Sequence, residues 1–171
     1  VMFPESWSQQ SVNIVASKYF FGDLDAENGN PANGKREYHL GQLVDRVADT
    51  IVDQGIDRGY FAFSSDAQAF RNDLKWLLLH QHFAFNSPVW FNVGLGQAYG
   101  VKEGDEQNLL FNQDSPEENV QEVDPYLRPQ AAACFIIDIP DDIDGIWDAM
   151  KESARLFKFG SGVGSNWSSL R

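Results

Sequence analysis

Residues 131–166 constrain the fold more than any other stretch. Ala131 to Ile137 is a short apolar run, and Pro140 ends it. Its length and flanks predict a buried strand rather than a helix. Asp141 or Asp142 then offers an N-cap. Ile143, Ile146, Trp147, Met150, Ala154 and Phe157 follow at helical spacing, which predicts a third helix with those residues on its buried face. Gly160 suits the end of that helix. Residues 160–166 read as a glycine-rich loop. Strand, helix and glycine loop in that order open an α/β sheet or barrel. No further strands follow, so part of the fold is expected to be missing from these 171 residues.

Two helices are expected earlier. Leu43, Val44, Val47, Ala48, Ile51 and Val52 form one apolar stripe over residues 41–56, with Asp45, Arg46, Asp49 and Asp53 off it. A second helix is expected from Ser65, where Ser65 and Gln68 have capping-box spacing, to about Phe83. Phe70, Leu74, Leu77 and Leu78 make its buried face. It must stop before Pro88, because proline disfavours helical geometry in the residue before it. Phe85 to Val93 reads as extended and residues 94–130 as mostly loop. Residues 28–34 carry strong turn chemistry and are expected to be an exposed loop.

Charge narrows the function classes. The net charge is −12, and an acidic surface repels nucleic-acid phosphates, so no nucleic-acid partner is expected. Residues 102–124 hold eight carboxylates against Lys102 alone and read as a solvated loop. There is no apolar run long enough for a membrane span. Residues 1–5 lack the pattern of a signal peptide. A cytoplasmic protein is expected.

Chemistry is sparse. Cys134 is the sole cysteine. Read alone, it is either a small buried hydrophobe or a reactive thiol whose disulfide partner lies in another chain or a missing segment. The 160–164 loop could bring backbone N–H groups close to a phosphate or sugar. It matches neither a P-loop nor a dinucleotide fingerprint, and a plain tight turn is an equal reading. Ser87-Pro88 alone reads as a turn. His80 and His82 would point to different faces of a helix, against a shared metal.

As an ordered set, several segments carry more. They are Trp7-Ser8-Gln9, Asn13 to Phe20, Phe85-Asn86-Ser87-Pro88 to Gly94, Pro129-Gln130 to Ile136, and Leu156 to Asn166. Together they resemble class II ribonucleotide reductases along the whole chain, and the opening Trp-Ser-Gln segment favours class II over the other classes. The resemblance implies an α/β fold: a mostly helical region over 1–84, then from 85 to 171 the first strand–helix units of a ten-stranded α/β barrel, incomplete in this chain. It implies reduction of a ribonucleotide's 2′-OH through a thiyl radical generated with adenosylcobalamin. Cys134 matches one of the two redox cysteines, Ala133 a backbone substrate contact, Ser87 a contact to the substrate phosphates, and Gly162 the loop glycine beside the ribose. Cys134 and Gly162 stand 28 positions apart, the spacing of one strand, one helix and a turn. Two departures stand out. Residues 131–133 are all Ala where the family often has Ser, and Val163 and Ser165 stand near positions where it commonly has Thr.

The implied partners are a ribonucleoside di- or triphosphate, a complementary C-terminal reductase chain or segment, a thioredoxin-type reductant, and a nucleotide effector bound outside this chain. Cobalamin would be held mainly by the missing part, and the chain alone is expected to be inactive. Two alternatives are a non-enzymatic assembly module derived from a reductase and a fragment of a class I large subunit.

Overall fold

The computed structural model describes residues 1–22, 36–102, 108–111 and 120–171, with backbone alone for 108–111 and 120–122. The described residues are mostly helical, with a two-stranded antiparallel hairpin and a two-stranded parallel sheet. The expected turn at 28–34, and most of the acidic stretch 102–124, lie outside the described residues or side chains.

Helix α1 spans Gln9–Lys18, and its N-cap Ser8 accepts from the Ser11 N–H. Helix α2, Leu40–Asp57, is the expected striped helix. Its start is tied down twice: Nδ1 of His39 accepts from the Gly41 N–H, and Oε1 of Gln42 accepts from the N–H groups of Tyr38 and His39. Helix α3, Ser64–Leu79, starts close to the expected Ser65. Asp66 accepts from the Phe63 N–H, so the box sits at 63–66 instead of 65–68. α3 ends four residues short of Phe83. Leu74 and Leu78 are buried as expected, together with Ala67, whereas Phe70 and Leu77 are exposed.

The core forms where α2 meets α3 and the first segment. Phe20, Leu40, Leu43, Val44, Ala48, Leu74 and Leu78 pack together, flanked by Phe3, Trp7 and Tyr19. The Trp7 indole N–H donates to the Leu79 carbonyl at 2.8 Å, pinning the chain start to the end of α3. Further along the same stripe, Val47 packs on Val89 and Val93. Arg46 lies off the apolar stripe yet is buried, because Glu37 is buried beside it. Arg46 Nε lies 2.9 Å from Glu37 Oε1. Its other nitrogens donate to the carbonyls of Val93 (2.6 Å) and Trp90 (3.1 Å). Tyr99 donates its hydroxyl to Glu37 at 2.7 Å, and the Phe21 N–H donates to the other Glu37 oxygen at 2.9 Å. Burial, then the Glu37 charge, pushes the Tyr99 phenol well above its ordinary value, so it stays a donor.

Phe85 to Val93 is not extended. Residues Ser87–Asn92 form helix α4. Asn86 caps it through the Val89 N–H, and Pro88 sits in the first turn, where a missing N–H costs nothing. Within 94–130, helix α5 spans Leu95–Tyr99, and β1 (Asn108–Phe111) pairs antiparallel with β2 (Val120–Val123). Between α4 and α5, Gly94 has φ +82°, and a Cβ there would stand 2.5 Å from the Arg46 carbonyl oxygen. A side chain would therefore push α5 off α2.

The last unit has the expected order. Strand β3 is Cys134–Asp138, helix α6 is Ile143–Lys158 with Asp142 as N-cap, and Gly160 follows with φ +85°. Two expectations fail. Residues 162–166 are not a loop: Gly162–Asn166 is strand β4, parallel to β3, because pairing needs only backbone groups. The stripe on α6 is not buried either. Ile143 (67%), Trp147 (68%) and Phe157 (57%) are exposed, Met150 and Ala154 are exposed too, and Ala149 is the buried residue of the helix. Nothing in the described chain packs over that face, so the side chains remain in solvent. For the same reason β3 is not fully buried: its side chains alternate between exposed and half-buried, with Cys134 exposed.

Candidate functional site

Three of the four residues singled out from the sequence meet at one end of the parallel pair. Cys134 opens β3 and Gly162 opens β4, and the two are register partners. The Gly162 N–H donates to the Ala133 carbonyl at 2.7 Å. A Cβ at Gly162 would meet that same carbonyl at 3.7 Å and nothing nearer. The space beside the cysteine is thus open, and bare backbone faces it. A ligand atom can approach the chain closely at such a position.

A knot of hydrogen bonds holds this end together. Ser161 is buried and donates its hydroxyl to the Ala132 carbonyl at 2.8 Å. The Gln130 amide donates to the same carbonyl at 2.7 Å, touches the Ser161 hydroxyl, and accepts from the Ala132 N–H. Two side chains thereby fix the backbone of 130–133 against the start of β4. The all-Ala stretch 131–133 contributes backbone groups alone to this knot.

Ser87 stands apart. It is the first residue of α4, half-buried, with its hydroxyl 3.1 Å from that of Tyr19. Among the described residues no hydrogen bond joins it to 133, 134 or 162. The link is indirect, through the far end of α4. The buried Asn92 donates to the carbonyls of Phe159 (2.8 Å) and Gln130 (3.3 Å), and the Phe91 ring lies where a Cβ on Gly160 would be.

Asn92, Gln130 and Ser161 escaped the reading of the sequence. One signal was available for Asn92, a polar residue inside the apolar run Val89 to Val93. Ser161 and Gln130 carry no such mark. His80 and His82 both stack on the Trp76 indole, at 4.4 and 5.1 Å between centroids. No group of three or more His, Cys, Asp or Glu suited to a metal occurs among the described residues. No helix among them is long and apolar enough to cross a membrane. Two cavities of about 370 and 360 Å³ flank α2. Neither is lined by Cys134 or Gly162.

Comparison with known proteins places the chain in a family. Residues 1–81 match the family model described as class II vitamin B12-dependent ribonucleotide reductase, and residues 132–171 match the barrel domain of ribonucleotide reductases. A vitamin B12-dependent ribonucleotide reductase of Rhodopirellula baltica is 47% identical over 98% of this chain and 15% of its own length. One from Streptomyces coelicolor is 41% identical over all of this chain and 14% of its own. A ribonucleoside-diphosphate reductase subunit alpha of Helicobacter pylori is 45% identical over 26% of this chain and 6% of its own length. The chain spans about 15% of the length of the curated relatives that match it throughout. With both family models matched in order and these relatives aligned across it, the chain belongs to the class II, vitamin B12-dependent ribonucleotide reductases.

Proposed function

We propose that this segment supplies one redox thiol and part of the nucleotide pocket of a reductase that converts ribonucleotides to deoxyribonucleotides. The observation that carries the reading is the Cys134–Gly162 pairing, with an open face beside it and the Ala133 carbonyl locked to the Gly162 N–H. Cys134 is exposed there, as a thiol that must reach substrate has to be. The ribose would lie against the glycine backbone, and the phosphates would extend toward Ser87. The substrate is a ribonucleoside di- or triphosphate.

In this role Cys134 works with a second thiol outside the chain. The C2′–O bond breaks and the oxygen leaves as water after taking a proton from Cys134. A C2′–H bond forms, and the two sulfurs close a disulfide, so two thiols and one alcohol become one disulfide, one C–H bond and water. A thioredoxin-type dithiol would then reopen the disulfide. Adenosylcobalamin, when bound, supplies the radical that starts the chemistry. Its contacts would lie mainly in the rest of the protein, since neither of the two cavities beside α2 is large enough to enclose a corrinoid. Nucleotide effectors would bind outside this segment as well.

The division of labour follows the chain. In this reading residues 1–84 form the helical region and residues 85–171 begin the catalytic barrel; the family matches cover 1–81 and 132–171. The free edges of the β3–β4 pair and the bare face of α6 would be covered by the remaining barrel, since an unpaired strand edge invites pairing. Alone the segment is inactive. The assembled protein works in the cytoplasm.

The test is Cys134→Ser in the full-length reductase, assayed for ribonucleotide reduction with and without adenosylcobalamin. Activity should depend on cobalamin and fall to background in the variant. Full activity in the variant would sink the thiol role and favour an assembly module. Activity without cobalamin would overturn the cofactor reading.

A further inference from the structure

Helix α4 touches both ends of the proposed nucleotide site. Ser87 begins it and Asn92 ends it. At 1.5 Å per residue the two stand about 7.5 Å apart along the axis. Asn92 is 4% exposed, and both of its hydrogen bonds reach across the fold, to residues 67 and 38 positions away. Its acceptors are the Phe159 carbonyl, three residues before Gly162, and the Gln130 carbonyl, four before Cys134. Two neighbouring carbonyls both demand donors. A primary amide, with two N–H groups on one nitrogen, satisfies both at once. Arg46 holds the same helix from the other side, through the carbonyls of Trp90 and Val93. α4 is therefore clamped at its C-terminal end by two buried side chains, while its first residue faces the Tyr19 hydroxyl.

We propose that Asn92 is a positioning residue that sets the phosphate end of the site, at Ser87, relative to the ribose end, at Cys134 and Gly162. The inference rests on the reading given under Proposed function. Without the amide, the starts of β3 and β4 lose their tie to α4, and the two ends of a bound nucleotide no longer find their contacts together.

The test uses the full-length reductase carrying Asn92→Asp, which keeps the shape and turns a donor into a carboxylate facing two carbonyls. Asn92→Leu, of similar volume and without donors, serves as the second variant. Amide exchange in peptides 130–134 and 159–164 should quicken about tenfold, with α2 unchanged, as expected for a local opening. The KM for the ribonucleotide should rise about tenfold and kcat should fall less, and with Ser87→Ala already present the same substitution should raise KM by less than about twofold, because coupled residues are not additive. Additive effects on KM, or unchanged exchange at 130–134 and 159–164, would overturn the proposal. So would loss of protection throughout α2 in both variants, which would make Asn92 a general support of the fold. A parent enzyme that fails to reduce ribonucleotides at all would sink the functional reading first. A parent that works, with variants showing additive effects, would sink this inference alone.

Discussion

Helices α2 and α6 carry the same kind of sequence signal and meet opposite fates. Each shows an apolar stripe at the helical period. On α2 the stripe is buried under α1, α3 and the aromatic start of the chain, and even the polar flank is used, by Arg46. On α6 the stripe stands in water, with Trp147 and Ile143 about two-thirds exposed. A stripe therefore tells which face of a helix is apolar. It does not tell whether these 171 residues include what covers it. Among the described residues, the stripe of α2 finds its cover and that of α6 does not.

The largest expected effect that would break this contrast is at the buried pair beside α2. Arg46→Met would leave Glu37 buried without its partner, and losing one member of such a pair costs about 3–5 kcal/mol. The loss should appear as faster amide exchange across α2, α4 and α5 together. An unchanged α2 would mean that the helical region does not depend on its buried ion pair.

A smaller effect lies on the outer surface of the same helix. Burial raises the Asp49 pKa, but hydrogen bonds and charge from Arg71 and Lys75 outweigh it and hold the carboxyl below its ordinary value. A depressed folded-state value means that the stabilisation is present above the unfolded pKa and is lost as the pH falls through the folded one. The groups are about one-third exposed, so screening limits the gain. Asp49→Asn should cost up to about 1 kcal/mol at pH 7. The cost should vanish at acid pH where the carboxyl is protonated in both states. Urea unfolding at the two pH values checks this.

The smallest effect should come from α6. Trp147→Ala in the 171-residue chain should change stability by no more than about 0.5 kcal/mol, as for an ordinary surface site. In the full-length protein, where the face is expected to be covered, the same change should cost about 3–5 kcal/mol. Equal and small losses in both would mean that α6 stays bare after assembly.

What the sequence made legible follows from this physics. The 3.6-residue period marks α2, the start of α3 and α6, because a helix long enough to repeat its pattern declares itself. Helix α4 has six residues and no repeat, and its Asn-Ser-Pro opening serves a turn and a helix start equally well. Strand β4 hides behind its glycines, since what makes it a strand is the backbone of β3, not its own side chains. The burial of Arg46 depends on Glu37, which lies before the helix and outside any stripe. The site divides in the same way. Motif resemblance singled out Cys134, Ala133, Gly162 and Ser87, and the first three do meet at the start of one strand pair. The groups that hold them, Asn92, Gln130 and Ser161, act through backbone carbonyls, which no side-chain pattern reports.

Gly94, packed against Arg46 of α2, has a consequence in genetic terms. Every one-base change in a glycine codon that alters the residue installs a Cβ or stops translation. At position 94 that Cβ meets the Arg46 carbonyl and the Thr50 hydroxyl, in a backbone conformation side chains resist. Gly100 has a similar backbone but open space around it. Of two codons six positions apart, the first therefore has no harmless missense neighbour, and the second has only the mild cost of its turn.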